Sequence, residues 1–501
     1  MADLDGSATR QELGSGLTIA APGLVGTADL RAPALAMGRG PTAAATEDFA
    51  AALEGAGFTA RHVVTIEAQQ QPGARSLPGR GPGGSQVLEL DVPRPAPGYG
   101  QVVLSSDEHG IMTWHLPQGS SRAAAVARGP GVDRFLVPSQ VVRRPPARAG
   151  RPAARPLMWS IGKKLLSVLV FPFIDVGVRV VAGEVARRWE DKHRPSRCRT
   201  FVPGEQSVPT TVALTDADWR RLAGGRSLLF LHGVFSTSHG SFGGLPDATL
   251  AALSEAYDGR VFAFDHPTMS VEPDTNAAAF LACIPADVHL DVDIVCHSRG
   301  GLVARLLAGE IAADPHLAVH RLVFAGTPNV GTQIVDTAHI VDVLNRFTTL
   351  LNLVPPGPWS VVVTVLDVLL EIVKIVGSGF VEGLPGLVCM APGSPLLTLL
   401  NAAGTASPAV YFAIDADFEP VHGLEVVFRS LDTGVDLVFG AEPNDVAVPS
   451  IGVGTVPGDD RFPVSPERSL RFGSDRGVWH CSYFSDAATA VALTAWLTPV
   501  P

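Results

Sequence analysis

The sequence predicts an α/β fold, a mostly parallel, doubly wound sheet, over residues 210–501, preceded by a small β-rich or α+β domain. Three observations predict it. Short apolar runs recur at Ser227 to Leu231, Arg260 to Phe264, Val292 to Val295, Arg321 to Ala325 and Val410 to Ile414, with helix-length stretches between them. Strands that alternate with helices pair in parallel and are covered on both faces. Nearer the N-terminus, Pro/Gly clusters such as residues 78–84 separate strand-like runs at Ala60 to Glu67, Gln86 to Val92 and Gln101 to Leu104, which is the punctuation of a small sheet. Lastly, the long apolar segment from about 340 to 387 interrupts the later strands with helical patterning, predicting a helical lid insertion.

The 501 residues are 46% hydrophobic and carry a formal charge of −11. That length supports two or three cores, and the acidic balance excludes nucleic acid as a partner. Five cysteines, scattered at 198, 283, 296, 389 and 481, have no zinc-like spacing. They point to buried thiols in a cytoplasmic protein. The acidic start Met1-Ala2-Asp3-Leu4-Asp5 is unlike a signal peptide. Two apolar stretches are interrupted by charge, Leu165 to Val181 by Asp175 and Arg179, and Val361 to Val376 by Asp367, Glu371 and Lys374. Neither suits lipid; the second reads as an amphipathic helix whose charges share one stripe.

Taken in order, residues 1–45 read as a loose Gly/Ala/Pro/Thr-rich segment and 46–138 as the small domain, opening with a helix from Thr46, its cap, to Gly57. Residues 139–209 read as a basic, proline-rich linker (Arg143 to Arg155) followed by one long connector helix over 156–192. The run from Ser105 to His115 collects two acids and two histidines, which makes a metal site conceivable. Spacing alone does not make ligands converge. The plainer reading is a hairpin turning at Glu108-His109-Gly110 with Ile111 to Trp114 returning. No metal or cofactor is expected.

The chemistry concentrates at Asp293 to Arg305, an apolar strand, a turn at Ser298 and a helix start carrying Gly300-Gly301. A serine on such a strained strand-to-helix corner presents its hydroxyl above the sheet, with backbone N–H groups facing a developing oxyanion. Upstream, Leu229-Phe230-Leu231 runs into His232-Gly233; downstream come Gly326-Thr327-Pro328-Asn329-Val330-Gly331-Thr332, the Asn444-Asp445 loop and His480 before a terminal helix. Asp415 and Asp417 are the alternatives to Asp445.

Together these motifs resemble the lipase/esterase-like branch of the α/β-hydrolase superfamily over residues 210–498, with Cys296 where that pattern has glycine. The resemblance implies Ser298 as nucleophile, His480 as base and Asp445 as the carboxylate that orients it, in the chain order of that superfamily. It further implies the N–H groups of Val234, with Phe235 next, and Arg299 as oxyanion donors, and His232 as a structural histidine. The expected activity is hydrolysis of a carboxylic ester through an acyl-enzyme, falling on acidification as the base protonates. An apolar lid suggests a hydrophobic ester or acyl substrate and a transient contact with a membrane surface. Two rivals remain: a serine acyltransferase or thioesterase on the same triad, and a non-catalytic adaptor binding a protein partner through the N-terminal domain.

Overall fold

The computed structural model describes residues 1–33, 43–70, 87–107, 111–118, 131–138, 140–142, 158–160, 163–172, 182–210, 212–309, 314–335, 340–353, 366, 369–374, 384–402, 407–419, 442–459 and 461–498. Its strands in the first 172 residues are β1 (Ala2–Asp5), β2 (Gln11–Gly14), β3 (Leu17–Ala20), β4 (Leu24–Arg31), β5 (Thr59–Gln70), β6 (Val87–Pro93), β7 (Tyr99–Asp107), β8 (Met112–His115), β9 (Val132–Pro138), β10 (Gln140–Val142), β11 (Met158–Ser160) and β12 (Lys163–Pro172). They form a six-stranded sheet in the order β1-β4-β5-β12-β7-β8, a four-stranded sheet β2-β3-β6-β9 and the pair β10-β11. Leu17, Ile19, Leu88, Leu90, Phe135, Leu166 and Val168 pack together in their shared core.

Three expectations fail here. Residues 1–31, read as loose, carry four strands, and in β1 the alternate residues Ala2 and Leu4 are buried. Small, turn-rich strands lack the Val/Ile density that announces longer ones. The connector read as one helix over 156–192 divides instead into strands β11 and β12 and a helix, Ala182–His193. A run such as Lys163-Lys164-Leu165-Leu166-Ser167-Val168-Leu169-Val170-Phe171 has no clear period, and a strand buried on both faces cannot be told from a buried helix by periodicity alone. Its central place between β5 and β7 decides the matter. The helix expected from Thr46 starts at Ala43, so Thr46 lies inside it. The basic 143–155 run and the 108–110 turn fall outside the described residues, but β7 and β8 pair antiparallel as the hairpin reading requires.

Downstream, β13 (Arg197–Thr200), β14 (Ser227–Leu231), β15 (Val261–Asp265), β16 (Leu290–His297), β17 (Leu317–Ala325), β18 (Val410–Ala416) and β19 (Ser469–Phe472) build a seven-stranded sheet, ordered β13-β15-β14-β16-β17-β18-β19. All neighbours are parallel except β13 and β15. The sheet thus begins at Arg197, ahead of the boundary expected at 210. Strands β14 and β15 are buried at every residue, because helices cover both faces and no side of the strand meets water. Of the expected lid, the helices Ile340–Leu353 and Pro385–Val388 are described, with helical residues at 366 and 369–374 between them. Glu371, expected on a solvated stripe, is buried and pairs with Lys374 at 2.9 Å, and Lys374 sits 5.6 Å from the ring of Phe58. Lys374 thus reaches Phe58 of the N-terminal part, and Asp367 lies outside the described residues. One apolar cluster accordingly runs from Phe49, Phe58 and Trp114 through Leu344 and Phe347 to Ile294 and Phe324. Among the described residues no helix is long and apolar enough to cross a membrane.

Candidate active site

Ser298 stands where β16 ends and the helix Gly300–Leu307 begins, with φ of 54°. A left-handed backbone is costly for a serine and persists only where its surroundings enforce it. The enforcing contacts are visible. Ser298 N–H donates to Ala325 O at 2.8 Å. A Cβ on Gly300 would sit 2.4 Å from Leu231 O, and one on Gly301 would sit 2.3 Å from Thr327. Those glycines let the helix start directly against the ends of β14 and the 326–332 loop. Gly233 is equally constrained, since its Cβ would lie 2.6 Å from the Cβ of Ser298. Cys296 is fully buried and its thiol donates to Val323 O at 3.1 Å.

The loop after β19 brings His480 to the same place. Its Nδ1 lies 2.8 Å from Asp445 Oδ2. A carboxylate can only accept, so Nδ1 carries the proton and Nε2 of the neutral ring is an acceptor. Asp445 is buried and takes three further hydrogen bonds, from Ala447 N (3.0 Å), Val448 N (2.7 Å) and Tyr483 Oη (2.7 Å). Burial pushes its carboxyl up, but the neighbouring His480 and these donors outweigh that and hold it below the ordinary carboxylate range. Asp415 instead pairs with Arg471 at 2.7 Å, so the alternative acid is engaged elsewhere, and Asp417 joins the sheet end through its N–H to Phe472 O. Gly326, with φ of 55°, backs this constellation: its Cβ would fall 2.9 Å from Asp445 Oδ2 and 3.1 Å from His480 Nδ1. The rest of that motif ties the loops together, Thr332 Oγ1 donating to Ala447 O at 2.6 Å and Asn329 Nδ2 to Val453 O at 2.8 Å.

Ser298 and His480 line one cavity with Val234, Phe235, Ser236, Ser241, His297, Thr332, Phe347, Met390, Ala447 and Val448. Its free volume is about 30 Å³. Of the expected oxyanion donors, Val234 and Phe235 lie on the wall. Arg299 follows the serine, and its guanidinium is buried elsewhere, donating to Gly386 O, Asn276 Oδ1 and Val271 O. Phe235 and Val446 also have positive φ, 60° and 84°. Phe235 lies on the cavity wall with Ser298, and Val446 stands between Asp445 and the lining residue Ala447. His232 is buried, accepts from His266 N–H at 3.0 Å and stacks on that ring at 4.1 Å; burial lowers its pKa to about 4, so it is neutral.

Two participants went unassigned in the sequence. Tyr483 is a donor to Asp445 because burial and that carboxylate's charge raise its phenol well above the ordinary value. His297 fills the position before the serine, its Nε2 2.8 Å from His480 O and its Nδ1 3.2 Å from Ser241 Oγ. The carbonyl must accept, so Nε2 carries the proton; burial lowers this ring's pKa to about 3. Both sit beside residues the motifs picked out, but a hydroxyl or imidazole in sequence does not announce what it faces. Among the described residues no three His, Cys, Asp or Glu side chains converge as a metal site, and Glu108 and His109 lie outside them. His115 is buried against Ser105 Oγ at 2.8 Å.

Residues 193–498, more than half of the chain, match the family described as "Domain of unknown function (DUF7379)". The chain belongs to that DUF7379 family. No curated protein matches it. Among solved structures, the DUF7379 chain is similar to phospholipase PlaB from Legionella pneumophila (16% identity, 46% of this chain and 45% of that one, TM-score 0.31). It is also similar to lipase 1 from Pelosinus fermentans (12%, 55% and 99%, 0.35) and a bromoperoxidase from Bacillus anthracis (13%, 55% and 92%, 0.32). The match spans less than half the length of the phospholipase.

Proposed function

We propose that this protein is a serine hydrolase of carboxylic esters. The observation that carries the reading is the pairing of a strained serine and an Asp-oriented histidine on one cavity wall: Ser298 at φ 54° and His480 with Nδ1 bound to Asp445. In this reading Ser298 Oγ attacks the ester carbonyl and passes its proton to His480 Nε2, which returns a proton to the leaving alkoxide. Asp445 holds the tautomer that makes Nε2 the acceptor. The N–H groups of Val234 and Arg299 stabilise the oxyanion, and water then releases the acyl-enzyme. The apolar wall suits a hydrophobic acyl group.

A fluorophosphonate probe tests the proposal. Labelling of the wild type and none of Ser298→Ala is the expected result, and an unlabelled, correctly folded wild type would sink it. Hydrolysis of p-nitrophenyl esters by the same preparations separates a hydrolase from a transferase, which would need an added acyl acceptor for turnover.

A further inference from the structure

The helix Ile340–Leu353 has two working faces. One carries Asn345, Thr348 and Thr349, at the spacing i, i+3, i+4 that places them on one stripe. All three are buried. A polar stripe on a helix normally meets water; this one meets the edge of the N-terminal sheet. Strand β8 is the last strand of its sheet, and its outward backbone groups would otherwise be unpaired. Asn345 Oδ1 accepts from Trp114 N at 2.6 Å, and Thr349 Oγ1 both accepts from Met112 N at 3.1 Å and donates to Met112 O at 2.9 Å. Thr348 Oγ1 takes the indole N–H of Trp114 at 2.9 Å. Side chains thus stand in for a seventh strand.

The other face carries Phe347, buried, on the wall of the Ser298 cavity. Its ring meets that of Trp479, the neighbour of His480, edge-on at 5.7 Å. The cavity it lines has about 30 Å³ of water-accessible space, room for one or two waters. We infer that Phe347 is the residue that limits acyl size at Ser298, and that the N-terminal sheet sets this limit by gripping the helix through Asn345, Thr348 and Thr349. The inference rests on the ester-hydrolase reading. It assigns the N-terminal region a role in substrate choice: short-chain esters are admitted, and longer chains require the helix to leave β8.

The test is a chain-length profile, kcat/KM for p-nitrophenyl acetate, butyrate and octanoate, on the full chain. The wild type should favour acetate. Phe347→Ala should raise the octanoate-to-acetate ratio by about tenfold or more, the range a few methylenes command in an apolar pocket. Asn345→Ala with Thr349→Val, which touches no cavity residue, should move the ratio the same way, and combining it with Phe347→Ala should add little because the two act on one element. Amide hydrogen exchange across 340–353 should rise in the Asn345/Thr349 variant, which shows that the grip was loosened, and Phe347→Leu serves if the alanine variant does not fold. A ratio unchanged by the Phe347 variants, with acetate still hydrolysed, overturns the size limit. Raised exchange with an unchanged ratio overturns the role of the sheet, and a uniform loss on all three esters does so too, since mere structural damage lowers them together. A wild type that neither hydrolyses any ester nor takes the fluorophosphonate overturns the hydrolase reading itself, a result distinct from all of these.

Discussion

The N-terminal sheets and the seven-stranded sheet differ in where polar groups and strained backbone meet. In the first region Asp133 accepts from Arg94 and Gln101, both at 2.9 Å, and Lys164 donates to Pro138 O at 2.7 Å, and none of these residues is strained. The one described non-glycine residue there with positive φ, Ser15, lies in the turn between β2 and β3. In the second region there are four, Phe235, Asp258, Ser298 and Val446; Phe235 and Ser298 line the cavity, Val446 adjoins its lining residue Ala447, and the polar residues Ser298 and His480 are on its wall. Strain that is maintained by close glycine contacts and converges on one cavity is the mark of a site, whereas self-satisfied ion pairs mark a scaffold.

The contrast breaks most visibly at the proposed triad. Ser298→Ala or His480→Ala should lower ester turnover by about four to six orders of magnitude with the melting temperature nearly unchanged. A loss below tenfold in a steady-state assay would put the chemistry elsewhere. Gly233→Ala comes next, because its new methyl collides with the Ser298 Cβ at 2.6 Å. Moving a nucleophile by about an ångström costs about a hundredfold in kcat, and a crystal structure of the variant should show Ser298 displaced. Tyr483→Phe removes one of four hydrogen bonds to Asp445, and about a tenfold fall in kcat is expected with little change in KM. An unchanged pH–rate profile and unchanged kcat would make Tyr483 packing only.

The smallest effect sharpens the comparison from the scaffold side. Burial lowers the pKa of His115 to about 3, so the folded protein holds it neutral while the unfolded chain protonates near pH ~6.5. Its folded value is depressed, so the stability it contributes is present above pH ~6.5 and lost as pH falls toward 3. Each such histidine adds up to about 1.4 kcal/mol per pH unit to the slope in that window. Denaturant melts of His115→Gln between pH 6 and 4 should show a shallower loss than the wild type. His232 (about 4) and His297 (about 3) lie on the cavity side and titrate alike. The wild-type slope should therefore remain positive after the His115 substitution, and a slope that vanished would deny those two their neutral burial.

Much of the second region was legible because its signals are local. Ser298 at a strand end followed by Gly300-Gly301, and the short apolar runs within β14 to β17, depend on neighbours in sequence. The N-terminal region was not. Its strands are short or buried on both faces, β12 was mistaken for helix, and the stripe Asn345, Thr348, Thr349 makes sense only beside β8, which lies more than two hundred residues earlier in the chain. Nor could residue type choose Asp445 over Asp415. That choice was made by Arg471, which neutralises the one, and by Tyr483 and His480, which converge on the other.

The sequence by itself determined the parallel α/β sheet, the strand-to-helix turn at Ser298 and the chain order Ser298, Asp445, His480, because hydrophobic period and turn chemistry are written in consecutive residues. Only the tertiary structure brought Asp445 to His480, set Phe347 on the cavity wall and laid the helix carrying it against the N-terminal sheet. Those facts depend on hydrogen bonds and contacts between segments far apart in the chain, and they form only when the sheets have folded and brought the segments within reach.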